Sequence, residues 1–180
     1  MEIKTITDRI TCIVATLPNN PLKSLNAYIV RGDRRNMLID TGFHLDETFS
    51  DLKEGIRELG VDMARTDIFL THCHADHTGN AGRIASESST IYASAIDKEL
   101  IDSFISDNEG LKQYMTGQMS RLGFPESKNA SSLSKNPSVK NNEPDVFAIS
   151  AVEESHIFDL GGVRLRCIYT PGHTPGHMCL

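Results

Sequence analysis

Thr71-His72-Cys73-His74-Ala75-Asp76-His77 gathers three of the chain's seven histidines and an aspartate in one short run, directly after the apolar triplet Ile68-Phe69-Leu70. In a chain of this composition the pattern His-x-His-x-Asp-His arises by chance roughly once in a thousand sequences, so the motif signal is strong. The triplet reads as a buried strand, which puts the motif where a strand end opens into a loop. Side chains alternate in direction along an extended segment. His72 and His74 therefore point the same way and can offer imidazole nitrogens to one ion at roughly 2.0–2.1 Å, while Cys73 points toward the interior. Asp76 and His77, at the turn into the next helix, can reach a second ion roughly 3.5–4 Å from the first.

A three-histidine catalytic site needs one more imidazole. Thr170-Pro171-Gly172-His173-Thr174-Pro175-Gly176-His177 offers two after another strand end. His173 sits just past the Pro-Gly break, where a loop can aim it at the same pole of the sheet, and is read as the third ligand of the first ion. His177 is read as a supporting or packing residue, with ligation as the alternative. Asp40 ends the apolar run Met37-Leu38-Ile39 and is followed by Thr41-Gly42. It could simply cap that turn through backbone amides; beside a histidine cluster, the favoured reading is an acceptor that fixes an imidazole tautomer. His44 is read as loop surface with a substrate contact left open, and His156 as solvated.

Outward from these stretches the chain alternates strands and helices. Ile3–Thr7 and Ile10–Thr16 read as strands closed by the turn Pro18-Asn19-Asn20-Pro21. Leu25–Arg31 and Asn36–Thr41 form a hairpin through Gly32-Asp33. Phe49, Leu52, Ile56 and Leu59 fall at helical spacing, and Gly60 stops that helix. Asp67–Thr71 is a strand, Thr78–Glu87 a helix and Thr90–Ala93 a strand, which together predict a layered α/β sheet. Residues 95–145 are read as a helical segment followed by a mobile loop. The helical part, Ala95 to Phe124, is read as a cap over the site, with a pair packed on the outside as the alternative. Pro125 to Asp145 is rich in Ser, Asn and Lys and poor in large apolar residues. Phe158–Leu165 reads as a hairpin whose second strand runs on to Tyr169.

The 180 residues fit one domain spanning 1–180, with 39% hydrophobic and 23% charged residues, which excludes disorder, collagen and coiled coil. Eighteen basic against 24 acidic residues give a net charge of −6, which opposes attraction to phosphate backbones or anionic membranes. The start lacks the apolar core of a signal peptide and no run is long enough to span a membrane, so a soluble, cytoplasmic protein is expected. Cys12, Cys73, Cys167 and Cys179 are scattered without a Cys-x-x-Cys pair, and neither disulfides nor a cysteine zinc knuckle is expected.

With these residues in place, the chain resembles the metallo-β-lactamase superfamily, in its glyoxalase II-like branch of metal-dependent hydrolases. The resemblance rests on Leu25 to Val30, Leu38 to Gly42, Thr71 to Gly79 and Thr170 to His177. It implies His72, His74 and His173 as ligands of a first metal, Asp76 and His77 as ligands of a second, and Asp40 as the supporting aspartate behind them. The implied fold is α/β, an αββα sandwich of which this chain supplies the first half, the helical insertion and an incomplete second half. The family's bridging aspartate and final histidine find no match before Leu180. A fragment of a longer protein is therefore expected, with a weak second metal site and self-association through the incomplete second sheet.

The resemblance implies zinc, up to two ions in the intact protein, with iron or manganese also compatible with this donor set. The implied reaction is hydrolysis of a thioester, ester or lactone-type small molecule by a metal-bound hydroxide that Asp76 orients. A nucleophilic or metal-bound Cys73 thiolate is the minor reading. The competing readings are a phosphodiesterase of ribonuclease Z type and a noncatalytic metal-binding or interaction module. An exported β-lactamase is disfavoured by the missing signal peptide, and a diiron flavoprotein partner by His74, where that group carries Glu. No nucleic-acid or membrane partner is expected.

Overall fold

Strands whose side chains are apolar on both faces need cover on both faces, and the central strands here receive it. The computed structural model describes residues 1–106, 108–125 and 146–180. Within them β1 (Glu2–Thr5), β2 (Ile10–Thr16), β3 (Ser24–Arg31) and β4 (Asn36–Ile39) form an antiparallel meander. Then β5 (Thr66–Phe69), β6 (Ile91–Ser94) and β7 (Ile149–Val152) continue the same sheet in parallel. The strand order follows the sequence. Helix α1 (Asp46–Glu58) makes the crossover from β4 to β5, with Asp46 and Glu47 in its first turn and Arg57 in its last, as the helix dipole favours.

Residue parity divides the core in two. Ala27, Ile29, Leu38, Ile68, Ile91 and Ala93 turn one way and pack with Leu52 and Ile56 of α1. Val30, Met37, Phe69 and Val152 turn the other way and pack with Phe158, Leu160, Cys167 and Met178. The second face is covered by the antiparallel pair β8 (Ile157–Asp159) and β9 (Arg164–Arg166), and by β11 (Met178–Cys179), which pairs with β10 (Ile168–Tyr169). The helices on one face and the small strand pairs on the other make an α/β layered fold.

Two local expectations are corrected. The helix expected over Thr78–Glu87 is instead two short turns, α2 (Ala75–Thr78) and α3 (Ala81–Ile84). Gly79 and Asn80 separate them. A Cβ at Gly79 would collide with the backbone of Phe43 and His44, and the fully buried Asn80 amide donates to the carbonyl oxygens of Thr41 and Phe43. Tertiary contacts at this pair thus break a helical pattern. The strand expected to run from the Phe158 hairpin to Tyr169 breaks at the buried Cys167, which bonds back to Ser155 and His156 before the chain changes partner at β10.

The segment after β6 forms α4 (Ala95–Ser106) and α5 (Asn108–Arg121). Ile101 and Phe104 of α4 are buried in the helix-side core, with Tyr114 and Met115 of α5 packed against it. These contacts seat the pair against the helix-side core of the sheet. The loop expected over Pro125 to Asp145 lies almost wholly outside the described residues. Among the described residues no helix is long and apolar enough to cross a membrane.

Phe69 has no exposed surface and meets Phe158 edge-on at 6.0 Å between ring centroids. Phe69→Ala should cost about 3–5 kcal/mol through lost burial and a residual cavity, read as a lower urea midpoint with an unchanged slope.

Candidate metal centre

The parallel pairing of β4 with β5 sets Ile39 opposite Phe69, so the residues that follow both strands emerge at one pole of the sheet. Carboxyl ends of parallel strands are where such folds place their sites. Asp40 leaves β4 with φ +60°, a left-handed backbone that aspartate tolerates better than most residues. Its amide donates to the carbonyl oxygen of Phe69 at 3.0 Å, and its side chain turns toward the histidine motif.

The Asp40 carboxylate organises that motif. Oδ1 accepts the Thr71 amide at 2.9 Å, and Oδ2 accepts the Thr71 hydroxyl at 2.8 Å. The same Oδ2 lies 2.7 Å from His77 Nδ1, which donates to it. With its proton engaged on Asp40, the Thr71 hydroxyl is left to accept from His72 Nδ1 at 3.0 Å. That relay puts the His72 proton on Nδ1 and leaves Nε2 bearing a lone pair. Sequence reasoning assigns Thr71 no role, because a threonine beside four stronger ligands carries no signal of its own.

His72, His74 and His173 come together with ligand atoms within 4.8 Å of one another. His74 Nδ1 faces His173 Nε2 at 3.0 Å, although the two residues are ninety-nine positions apart. Tetrahedral coordination at 2.0–2.1 Å separates two donor nitrogens by about 3.3 Å, close to this spacing. His72 Nε2 is buried with no hydrogen-bond partner among the described residues, and a buried polar nitrogen without a partner demands an explanation. A cation bound by three neutral imidazoles supplies one, so the donor set fits a metal ion.

The other predicted residues take flanking positions. Asp76 on α2 places Oδ2 3.6 Å from His77 Nε2, and the His77 ring centroid is 3.9 Å from that of His72. This pair lies beside the three imidazoles and outside their group. His177 Nδ1 is 2.8 Å from the Thr170 hydroxyl, and its ring is 5.2 Å from His72 and 6.3 Å from His173. Cys73 turns away into the helix-side core. Its burial, with the charge of Asp97 near it, pushes the thiol well above the ordinary range, so the thiolate reading fails on physical grounds.

Charge at the cluster follows from burial. Burial first, and then the neighbouring imidazoles, lower His72 from 6.5 to about 2. His74 is lowered by burial and by His173. Burial also opposes charge on His77, but the hydrogen bond and charge of Asp40 outweigh it and its pKa is raised.

A family model described as the metallo-beta-lactamase superfamily matches residues 21–180, and the chain belongs to that superfamily. Its fold is similar to that of a metallo-beta-lactamase family protein from Thermus thermophilus, with a TM-score of 0.74 and 22% identity, covering 97% of this chain and 56% of that one. It is likewise similar to a subclass B3 metallo-beta-lactamase of Bradyrhizobium japonicum, with a TM-score of 0.66 and 23% identity over 99% of this chain and 55% of that one. Among curated relatives, an atrochrysone carboxyl ACP thioesterase of Aspergillus chevalieri is 24% identical over 179 residues, 99% of this chain and 43% of that protein. A metallo-beta-lactamase fold-containing protein of Sulfurisphaera tokodaii is 29% identical over 153 residues, 84% of this chain and 50% of that protein. The chain spans about half the length of these curated relatives.

Acid should weaken the metal-free protein through His72. An unfolded histidine takes up a proton below its ordinary 6.5, whereas folded His72 stays neutral down to about 2. Between those values the unfolded chain binds more protons, and stability falls with pH by up to about 1.4 kcal/mol per unit for this group. His77 is shifted in the opposite sense: its contribution is full below 6.5 and is lost as pH rises through its raised value. Urea unfolding in chelator at pH 7 and pH 5 should show the decline, with a smaller decline in His72→Gln. Equal declines in both proteins would remove His72 as its source.

Proposed function

We infer that this site is the hydrolytic metal centre of a metallo-β-lactamase-fold hydrolase acting on a thioester, ester or lactone-type small molecule, a glyoxalase II-like chemistry. The observation that carries the reading is the meeting of His72, His74 and His173 from two distant segments, with the buried His72 Nε2 left unpartnered. Zinc is the metal of choice for three neutral imidazoles. Thioesters rank first among substrates because curated relatives are named as acyl-carrier-protein thioesterases.

In this reading His72, His74 and His173 hold one ion, and Asp76 and His77 stand ready for a second. When bound, the metal supplies Lewis-acid polarisation and brings the pKa of water to near 7. The chain's own residues supply orientation. Thr71, backed by Asp40, holds the Nδ1 proton of His72 and so keeps Nε2 available. Asp40 takes the Nδ1 proton of His77 and leaves its Nε2 facing Asp76. In this reading Asp76 is the acceptor that orients the attacking water toward the scissile carbonyl. No serine or cysteine nucleophile is required.

Metal analysis of this chain, combined with parallel assays of the whole protein on thioester, lactone and bis-phosphoaryl substrates, tests this. The expected result is bound zinc with turnover of the thioester. His72→Ala should lose at least roughly 100-fold in metal affinity, and turnover with it. Metal-replete whole protein inactive on all three substrates would replace the hydrolase with a noncatalytic metal-binding module.

A further inference from the structure

Asp97 lies in the first turn of α4 with no exposed surface, and the hydrolytic reading makes no use of it. Its carboxylate nevertheless reaches both ligand-bearing loops. Oδ2 accepts the backbone N–H of Cys73 at 2.9 Å and the hydroxyl of Thr174 at 2.7 Å. Oδ1 accepts the backbone N–H of Gly176 at 2.9 Å. Cys73 stands between His72 and His74, and Thr174 directly follows His173.

The carboxylate is itself anchored. The Asp97 N–H donates to Ser94 Oγ at 3.0 Å, at the end of β6, so the side chain projects from the junction of a core strand and a packed helix. The seating is close: a Cβ on Gly176 would overlap Asp97 Oδ1, Ser94 Oγ and the Asp97 amide nitrogen. A buried carboxylate is tolerated only when its oxygens are satisfied, and these three donors do so with charge-assisted bonds.

We propose that Asp97 is a positioning residue that sets the spacing of His173 against His72 and His74. It ties the Cys73 amide on one loop to Thr174 and Gly176 on the other. This rests on the metal-centre reading above. The 3.0 Å approach of His74 Nδ1 to His173 Nε2 bridges the two tied loops. Asp97 touches backbone and hydroxyl groups of those loops and no ligand nitrogen, so it acts through the positions of the histidines.

Two substitutions test the role. Asp97→Asn keeps the shape but puts an amide NH2 against a donor. Thr174→Val removes one hydroxyl at nearly constant volume and leaves both backbone bonds in place. Zinc affinity is read by chelator competition, ligand geometry by the d–d absorption of the cobalt-substituted protein, and loop order by hydrogen exchange of the Cys73 and Gly176 amides in metal-free protein. Asp97→Asn should weaken zinc about 10–100-fold, alter the cobalt spectrum and speed both amides, with Thr174→Val moving the same way by less. A purely structural role would look like Phe69→Ala, with lower stability but unchanged zinc affinity and cobalt spectrum. That outcome in both site variants would overturn the proposal, and Thr174→Val decides alone if Asp97→Asn does not fold. A wild-type protein that takes up neither zinc nor cobalt overturns the metal-centre reading itself, a failure visible before any variant is compared.

Discussion

The Asp40 carboxylate, set at the end of a buried strand with a left-handed backbone, is the contact on which the order of the histidine motif depends. It binds the Thr71 amide and hydroxyl and the His77 ring. Through Thr71 it also selects the tautomer of His72. One buried negative group therefore determines which nitrogen of two imidazoles faces the site. Its cost in burial is offset because each of these contacts is a hydrogen bond from a donor. The arrangement requires Asp40 and Thr71 to leave their strands side by side, which the parallel register of β4 and β5 guarantees.

Burial then decides the charge state of the cluster. Imidazoles crowded together in a low-dielectric pocket resist protonation, as the depressed values of His72 and His74 show. Neutral imidazoles with directed lone pairs are what a divalent cation binds best. The same burial leaves His72 Nε2 without a hydrogen-bond partner among the described residues. The features that make the site a good ligand set thus make it a costly element of the metal-free protein.

Much of this was readable in the linear chain. The alternation of His72, Cys73 and His74 placed two imidazoles on one side and the thiol on the other, because an extended backbone has a period of two. The thiol is indeed in the core. Phe49, Leu52, Ile56 and Leu59 at helical spacing placed a helix between Glu47 and Leu59, within one residue of the observed Asp46–Glu58. The break at Gly79 and Asn80 was hidden, since it depends on the carbonyl groups of Thr41 and Phe43 almost forty positions away. Asp97 was equally hidden. An aspartate in the first turn of a helix reads as a partner of the helix dipole, and nothing local distinguishes it from one that bridges two loops.

The sequence by itself determined the chemistry on offer: which side chains carry lone pairs, how they alternate, and that strands alternating with helices build an α/β core. These follow from residue type and local backbone periodicity. The tertiary structure alone decided convergence. His173 meets His74 across ninety-nine positions, Asp40 reaches Thr71 and His77 across a sheet, and Asp97 ties the loops. Distances of that kind are set by strand register and by the two-sided burial of the central strands, which no short-range pattern encodes.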